Sequence, residues 1–590
     1  MVLLLSAVLI FASPASAGRS LLERARAQDP EDVPFLREAL AGARVPDRAQ
    51  AAFALGQYGL IEVDESAKDA AVRFAAAEVL VPAAMDPDPG VRRQVVESLG
   101  KVGGKDEEIA LLAAATDIDP GVRGAAALAF FRMRLLKRIP EYSTATATKL
   151  SILASDSDAE VRWRAAYAVS RWPEPRLTQV MTLAQRDADL RVRLFSARSL
   201  GKLGVAPDVA LLSDTDPYVR AEAVASFSSA KAWERLPDKI FGDPSAHVRA
   251  AAADAAAASG DGARFGPLVE KLAGGVGTLA PGRALIALAK LRGDSASEVL
   301  SKARRDPRWW IRARAFEAST LLSMGGQILR EGVADPDPRV ASQALESLAA
   351  SSSPVVVEAL DHVLRDPKSS LELRGTAVDA AAERGDLKLY PALLESMKTA
   401  KGTGAGELRE SIRKALLETA RKNPEISGSI QKELKNFPVF TDKPKRFRPL
   451  KEPASVEMET EKGTFSFELL PEAGVHSAAF VESVKKGFYD GLTWHRVVTG
   501  FVVQGGDPRG SGWGDAGWRL ADEITQQPFL RGTVGMPKAG KDTGGCQLFV
   551  SLAPAPHLDG RYTPFGLVNS GLDVLDLLEP GDKILRARLK

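Results

Sequence analysis

Two hydrophobic periods divide this chain. Over roughly residues 30 to 430 the apolar positions fall at helical spacing: Val91, Val95 and Leu99 stand at i, i+4 and i+8 and form one stripe. From Ser455 onward the period drops to two, and VEMETEKGTFSFELL predicts two alternating strands around a Lys462-Gly463 turn. Short apolar runs (FVVQ, QLFVSL, FGLV, ILRARL) follow, with dense glycine between 500 and 571, while HSAAFVESVKKG (476–487) carries one helical pattern. The pattern predicts a multidomain chain, an all-α array followed by a mainly-β unit.

The helical part repeats a phrase: Asp-Pro-x-x-Val-Arg, then small and apolar residues, often ending in Leu-Gly. It reads DPDPGVRRQVVESLG from Asp86 and DIDPGVRGAAALAF from Asp117, and its Val or Ile recurs at 91, 122, 161, 192, 219, 248, 311 and 340. The gap of 63 before 311 holds a degenerate copy, APGRALIALAKLRG from Ala280, and further copies are expected around Arg48 and Arg374. Asp accepts the free amides of a first helical turn, and Pro fits that turn because its missing N–H would be unpaired there. Gly100 and Gly103 are expected to end the helix in the left-handed conformation. Segments such as EEIALLAAA (107–115) supply a second short helix per unit. Two helices cannot bury their stripe alone, so neighbours must stack. The array, over 30–435, resembles the HEAT family of helical repeats, which implies a protein-binding solenoid. The Arg recurring at 92, 123, 162, 193, 220 and 249 is read as a stacking device, paired with a neighbouring Asp or helix end, in preference to a basic binding ladder. Trp309-Trp310 is read as core in preference to an exposed anchor for a partner.

Charge and composition narrow the function classes. Lys and Arg number 78 against 76 Asp and Glu, a net of +2, which argues against a dedicated nucleic-acid binder. Aromatics make up 6% of the chain, so Ala, Val and Leu must fill most of the core. The single cysteine, Cys546, excludes an internal disulfide and any multi-cysteine zinc site. Five histidines leave little for a histidine metal site, and no metal or cofactor is expected. Residues 2–12, VLLLSAVLIFA, are too short an apolar run to span a bilayer, which takes about 20 residues. With Ala15-Ser16-Ala17 behind it, the run reads as a signal peptide over 1–17, cut before Gly18, although no Lys or Arg precedes it. Export, to the periplasm of a bacterium with two membranes, is expected, with no membrane-spanning segment in the mature chain. Between the two parts, 436–454 is basic and proline-bearing (Lys443, Lys445, Arg446, Arg448, Lys451) and reads as a stiff solvated linker.

The last segment, 455–590, carries chemistry. GFYDGLTWHRVVTGFVVQGGDPRGSGWG (487–514), GTVGMPKAGKDTGGCQLFVSL (532–552) and PHLDGRYTPFGLV (556–568) resemble, in order and spacing, the cyclophilin family of peptidyl-prolyl isomerases. The resemblance implies a closed β-barrel that isomerises X-Pro bonds of protein or peptide clients. The amide barrier is about 18–20 kcal/mol and exchange is slow, but no bond is made or cleaved, so no nucleophile, metal or cofactor is called for. An apolar slot for the proline ring is required, with a donor for the proline nitrogen as it loses resonance. By resemblance Arg496 is that donor and Gln504 orients it while holding the substrate carbonyl. Phe501, Met536, Phe549 and Leu558 would line the slot, with Gln547 beside it. Lys538 marks a peptide-pairing backbone position. His557, where many members carry Trp, and Tyr562, where many carry His, would form the rim, and Pro537 replaces a small residue. The alternative reading is a non-catalytic scaffold whose barrel only binds Pro-containing segments; the retained Arg496 favours the enzyme. Cys546 and His495 are read as packing residues, not as nucleophile and base.

The export reading has a direct check. N-terminal sequencing of the protein from its native host should begin Gly18-Arg19-Ser20, and an intact Met1 on cytoplasmic protein would contradict it.

Overall fold

The structure is a computed structural model and describes residues 19–60, 67–401, 405–437, 446–514 and 516–590. The expected signal peptide and residues 438–445 of the expected linker lie outside the described residues. The described end of the linker is anchored by Phe447, whose ring meets Trp518 edge-on at 5.2 Å, while Arg446, Arg448 and Lys451 are exposed. Among the described residues no helix is long and apolar enough to cross a membrane.

Each phrase folds as its local chemistry dictates. Asp88 caps the helix Pro89–Val102 by accepting the Val91 amide at 3.1 Å, and Asp119 does the same for Pro120–Leu135 through Val122. The same device opens Ala159–Arg171, Leu190–Lys202, Pro217–Ser229 and Pro338–Ala349. The predicted second helix is Glu108–Ala114, and the degenerate copy at 280 is the helix Leu279–Arg292. The copies expected at Arg48 and Arg374 fall in Val45–Gln57 and Leu371–Arg384.

The first Asp of each phrase has a separate task. Arg92 donates through Nε and Nη2 to Asp117 of the next repeat at 2.8 and 2.9 Å, and its Nη1 reaches back to the carbonyls of Asp86 and Pro87. Arg48–Asp86, Arg123–Asp156, Arg162–Asp187, Arg193–Asp214 and Arg312–Asp335 repeat the fork at 2.6–3.2 Å. The receiving carboxylate also accepts its own chain's amide two residues on, as Asp117 does from Asp119 at 2.8 Å. At these positions the recurring Arg is a clasp between repeats; Arg220 and Arg249 make the same back-bonds, through Nη1 to the carbonyls of Asp214 and Thr215 and of Asp243 and Pro244. Bidentate guanidinium–carboxylate geometry fixes angle as well as distance, so the clasp sets the stacking register.

Two expectations change. The helix Pro89–Val102 does not end left-handed, since Gly103 has φ −71° and is extended. Gly100 lies inside the helix, where a Cβ would come within 2.5 Å of the Ala129 Cα, so its role is close approach of consecutive helices. Trp309 and Trp310 are half-buried and meet edge-on at 5.4 Å under Arg339 and Arg314, with Trp309 packed on the core of the later repeats.

The C-terminal part forms one antiparallel sheet: β1 (Ala454–Thr460), β2 (Gly463–Leu469), β3 (Thr493–Val498), β4 (Val502–Asp507), β5 (Thr533–Met536), β6 (Leu548–Ser551), β7 (Thr563–Ser570) and β8 (Ile584–Leu589). The strand order is β3-β4-β6-β5-β7-β2-β1-β8, and β1 and β2 pair around the predicted turn with Thr460 opposite Gly463. The helix Gly474–Lys485 packs Phe480 between Phe467, Tyr489 and Phe565 at ring distances of 4.7–5.6 Å. The sheet curls into a half-barrel, not the closed barrel expected. Its outer strands β3 and β8 come together at one end, through the bridge of Thr493 with Lys583 and the backbone bonds beside it (the Trp494 amide to Asp582 and the Ile584 amide to Leu492), and further along β8 the Asp490 carboxylate takes the Ala587 amide at 3.0 Å in place of a strand partner.

The chain groups into two compact units that cut across this division, the first holding 1–231 with 522–529 and 554–564, the second 232–521 with 530–553 and 565–590. Solenoid and sheet-domain segments pack together inside each. In the first, Arg132 pairs with Asp559 at 3.0 Å. In the second, the Glu579 carboxylate accepts the amides of Thr278 and Leu279 at 2.6 and 2.8 Å, and Arg509 pairs with Glu372 at 2.8 Å.

The clasp carries a pH signature. Asp117 and Asp156 are held below the ordinary carboxylate range, first by the hydrogen bonds from Arg92 and Arg123. A depressed carboxylate contributes stability that is present above its unfolded pKa and is lost as pH falls through the folded value. Arg123→Ala should cost about 1–2 kcal/mol at neutral pH, for charge-assisted hydrogen bonds at a partly exposed site. That deficit should shrink below the usual carboxylate range. Denaturant melts of both proteins across the acid limb check this; a deficit that is absent at neutral pH or constant with pH would contradict it.

Candidate active site

Strand register assembles the centre of the site. Arg496 on β3 stands opposite Gln504 on β4, and Gln504 stands opposite Phe549 on β6, which in turn faces Gly535 on β5. Directly opposed residues share a face, so the three side chains form one row across the sheet. Arg496 Nη1 donates to Gln504 Oε1 at 3.4 Å, and Gln504 Nε2 donates to Gln547 Oε1 at 3.0 Å. Gln547 Nε2 ends the chain on the carbonyls of Gly512 and Gly514, at 2.9 and 3.1 Å.

That last anchor rests on a buried carboxylate. Asp507 accepts the amides of Arg509 at 2.8 Å and Ser511 at 2.9 Å, and also that of Gly512, which draws the loop after β4 into a tight coil. Only glycine fits at 514, because a Cβ there would lie 1.7 Å from an Asp507 oxygen. The sequence GDPRGSGWG is therefore a mount for Gln547, and through it for Gln504 and Arg496.

The apolar residues surround this row. Met536 ends β5 and Phe549 sits on β6, both buried, while Phe501 is half-buried on the β3–β4 turn with its carbonyl accepting the Leu552 amide at 2.8 Å. Beside the glutamines lies a cleft of about 160 Å³ walled by Gln504, Trp518, Pro537, Lys538, Thr543 and Gln547. Of these, Trp518 and Thr543 were not anticipated; the tryptophans of SGWGDAGW were the available signal. Lys538 enters as a half-buried wall residue.

The remaining three predicted residues belong to the first compact unit, on the segment 554–564. Leu558 is buried, and Tyr562 is half-buried with its amide bonded to the Leu558 carbonyl at 3.1 Å. His557 is half-buried, and its Nδ1 lies 2.9 Å from the hydroxyl of Tyr167 in the solenoid. Burial, with Arg171, Arg561 and Arg198 nearby, lowers its imidazole to about 4, so it is neutral at physiological pH.

His495 and Cys546 hold as packing residues. Burial lowers His495 to about 4, against the opposing pull of Asp507. Cys546 is buried, and its carbonyl accepts the Tyr489 hydroxyl at 2.9 Å.

Comparison with known proteins places both parts of the chain among known families. Residues 455–588 match the family model described as cyclophilin type peptidyl-prolyl cis-trans isomerase/CLD, and residues 33–130 match that of HEAT repeats. A peptidyl-prolyl cis-trans isomerase of Synechococcus elongatus is 44% identical over 135 residues, which cover 22% of this chain and 93% of that protein. Peptidyl-prolyl cis-trans isomerase B of Bacillus subtilis is 45% identical over 127 residues, 21% of this chain and 89% of its own. A cyclophilin-type isomerase structure from Cryptosporidium parvum is 27% identical over 24% of this chain and 98% of its own, with a TM-score of 0.23.

The amide chain makes a graded expectation. Gln547→Ala removes the mount but leaves Arg496 and Gln504 in register. It should lower kcat/KM on an X-Pro peptide by about 3- to 10-fold, near 0.7–1.4 kcal/mol, with the melting temperature retained. A rate equal to wild type would show that Gln547 does not support the row.

Proposed function

The chain belongs to the cyclophilin-type peptidyl-prolyl cis-trans isomerases, and we propose that it acts on X-Pro bonds of exported protein clients that its helical solenoid binds. The observation that carries the catalytic part of this reading is the row Arg496–Gln504–Phe549, with its chain of amides anchored on the loop at Gly512 and Gly514.

Rotation about an X-Pro bond breaks amide conjugation, and the proline nitrogen gains a lone pair only near the transition state. A donor aimed at that nitrogen binds the twisted form more strongly than either planar isomer, which is the condition for acceleration. The guanidinium of Arg496 serves as this donor. It stays charged at any accessible pH, so the donor is always present. Gln504 holds Arg496 in orientation through its carbonyl oxygen and offers its amide side to the substrate carbonyl. Phe501, Met536 and Phe549 receive the proline ring and exclude water, which strengthens the donor's effect. Lys538 and Gln547 flank the bound peptide.

The HEAT match supports protein binding by the solenoid, a general property of stacked helical repeats. Export and a periplasmic location rest on the apolar run at 2–12 and the small residues at 15 and 17.

Arg496→Ala is the decisive variant. The side chain is exposed, so the fold should persist, while kcat/KM on an X-Pro peptide should fall at least about tenfold, or about 1.4 kcal/mol. A folded variant as fast as wild type would overturn the assignment of the donor.

A further inference from the structure

The loop after β4 is held by the helical repeats as well as by its own strand, and every residue involved belongs to the second compact unit. Arg509 is fixed at both ends. Its amide donates to Asp507 at 2.8 Å, and its guanidinium pairs with the Glu372 carboxylate at 2.8 Å. Glu372 lies in the first turn of Leu371–Arg384, and its side chain is only 7% exposed. A pair withdrawn from water to this extent is screened far less than a surface pair.

Two further contacts close on the same loop. Gly510 is left-handed, at φ +65°, and a Cβ there would come within 3.0 Å of the Arg339 guanidinium. Arg339 is itself tied down, by Asp337 at 2.7 Å and by stacking over the Trp309 ring at 4.1 Å. The Trp513 ring lies over Gly375, where a Cβ would stand 3.7 Å from it. Arg339 opens Pro338–Ala349, while Glu372 and Gly375 belong to Leu371–Arg384, so two helices of the array grip one loop. The amides gathered on Asp507 close that loop on itself, and the contacts with the helices fix it from outside. Gln547 is mounted on its far end, at the carbonyls of Gly512 and Gly514.

We propose that Glu372 is a positioning residue for the isomerase: through Arg509 it fixes the loop 507–514, and so the chain from Gln547 through Gln504 that aims Arg496. This rests on the reading of Arg496 as the donor given above. The helical repeats then serve the isomerisation itself as well as the holding of clients.

The test uses the full chain. Glu372→Gln keeps the size of the side chain and removes its charge, and Arg509→Gln reaches the pair from the other side. In each, kcat on an X-Pro peptide should fall about 2- to 5-fold with KM within about twofold, because the donor acts on the twisted nitrogen and not on the planar ground state. In protein carrying 15N in its glutamine side chains, the amide resonances of Gln547, identified by their loss in Gln547→Ala, should move in both variants. In the Gln547→Ala background Glu372→Gln should lower the rate no further, since the mount it acts through is gone. The Arg509 side chain is 26% exposed, so Arg509→Gln carries the test where Glu372→Gln fails to fold. An unmoved kcat, unmoved Gln547 resonances, or a loss that persists in full without Gln547 would each overturn the inference. A wild-type chain that is active, silenced by Arg496→Ala and indifferent to both glutamine variants overturns this inference alone. An inactive wild-type chain overturns the reading on which it rests.

Discussion

A repeat of two short helices cannot bury its own apolar stripe, and the bidentate Arg–Asp clasp is what turns that deficiency into order. Hydrophobic stacking alone tolerates sliding; a guanidinium fork on a carboxylate that is itself tied to the next helix start does not. From Arg48–Asp86 to Arg193–Asp214 the same geometry recurs at 2.6–2.8 Å, and it fixes the relative positions of the Arg-bearing helices of successive repeats. Phe131, Tyr167 and Phe195 interlock because those helices are in register, and Arg132 stands where Asp559 needs it.

The row proposed as catalytic has a similar logic at a smaller scale. Arg496 is exposed and on a strand near the edge of the half-barrel, a place where a long side chain would ordinarily wander. Its orientation comes from Gln504 directly opposite, then Gln547, then a loop coiled round Asp507. Each link is an uncharged amide, so the proposed donor keeps its charge while losing freedom. Isomerisation needs no more chemistry than this, because its barrier is electronic conjugation and not a bond to be cleaved.

Much of this is legible in the sequence because it is local. Capping by Asp88 and Asp119, the Lys462-Gly463 turn and the HRVVTGFVVQGGD block depend on neighbours a few residues away. The clasp is legible too, since an Arg in fixed register with an Asp in successive repeats points to a pairing that the stacking itself repeats. Gly100 reads as a helix end because, in one dimension, helix-ending chemistry and close approach to Ala129 look alike. Closure of the barrel is not legible, because it depends on how β3 and β8 diverge, and Asp490 takes a strand's place only in three dimensions. The grip of Tyr167 on His557 and of Arg132 on Asp559 is invisible in the sequence for the plainest reason: the partners are 390 and 427 residues apart. A histidine where tryptophan is usual is the one hint.

The central claim is that this chain, solenoid included, catalyses rotation about X-Pro bonds. It is tested most directly by exchange NMR on a proline peptide at equilibrium, with catalytic amounts of the full-length protein. Uncatalysed interconversion takes tens to hundreds of seconds, so exchange cross-peaks between cis and trans resonances should appear on the subsecond timescale when the protein is added. Peptide resonances that exchange no faster with the folded protein than without it would contradict the claim.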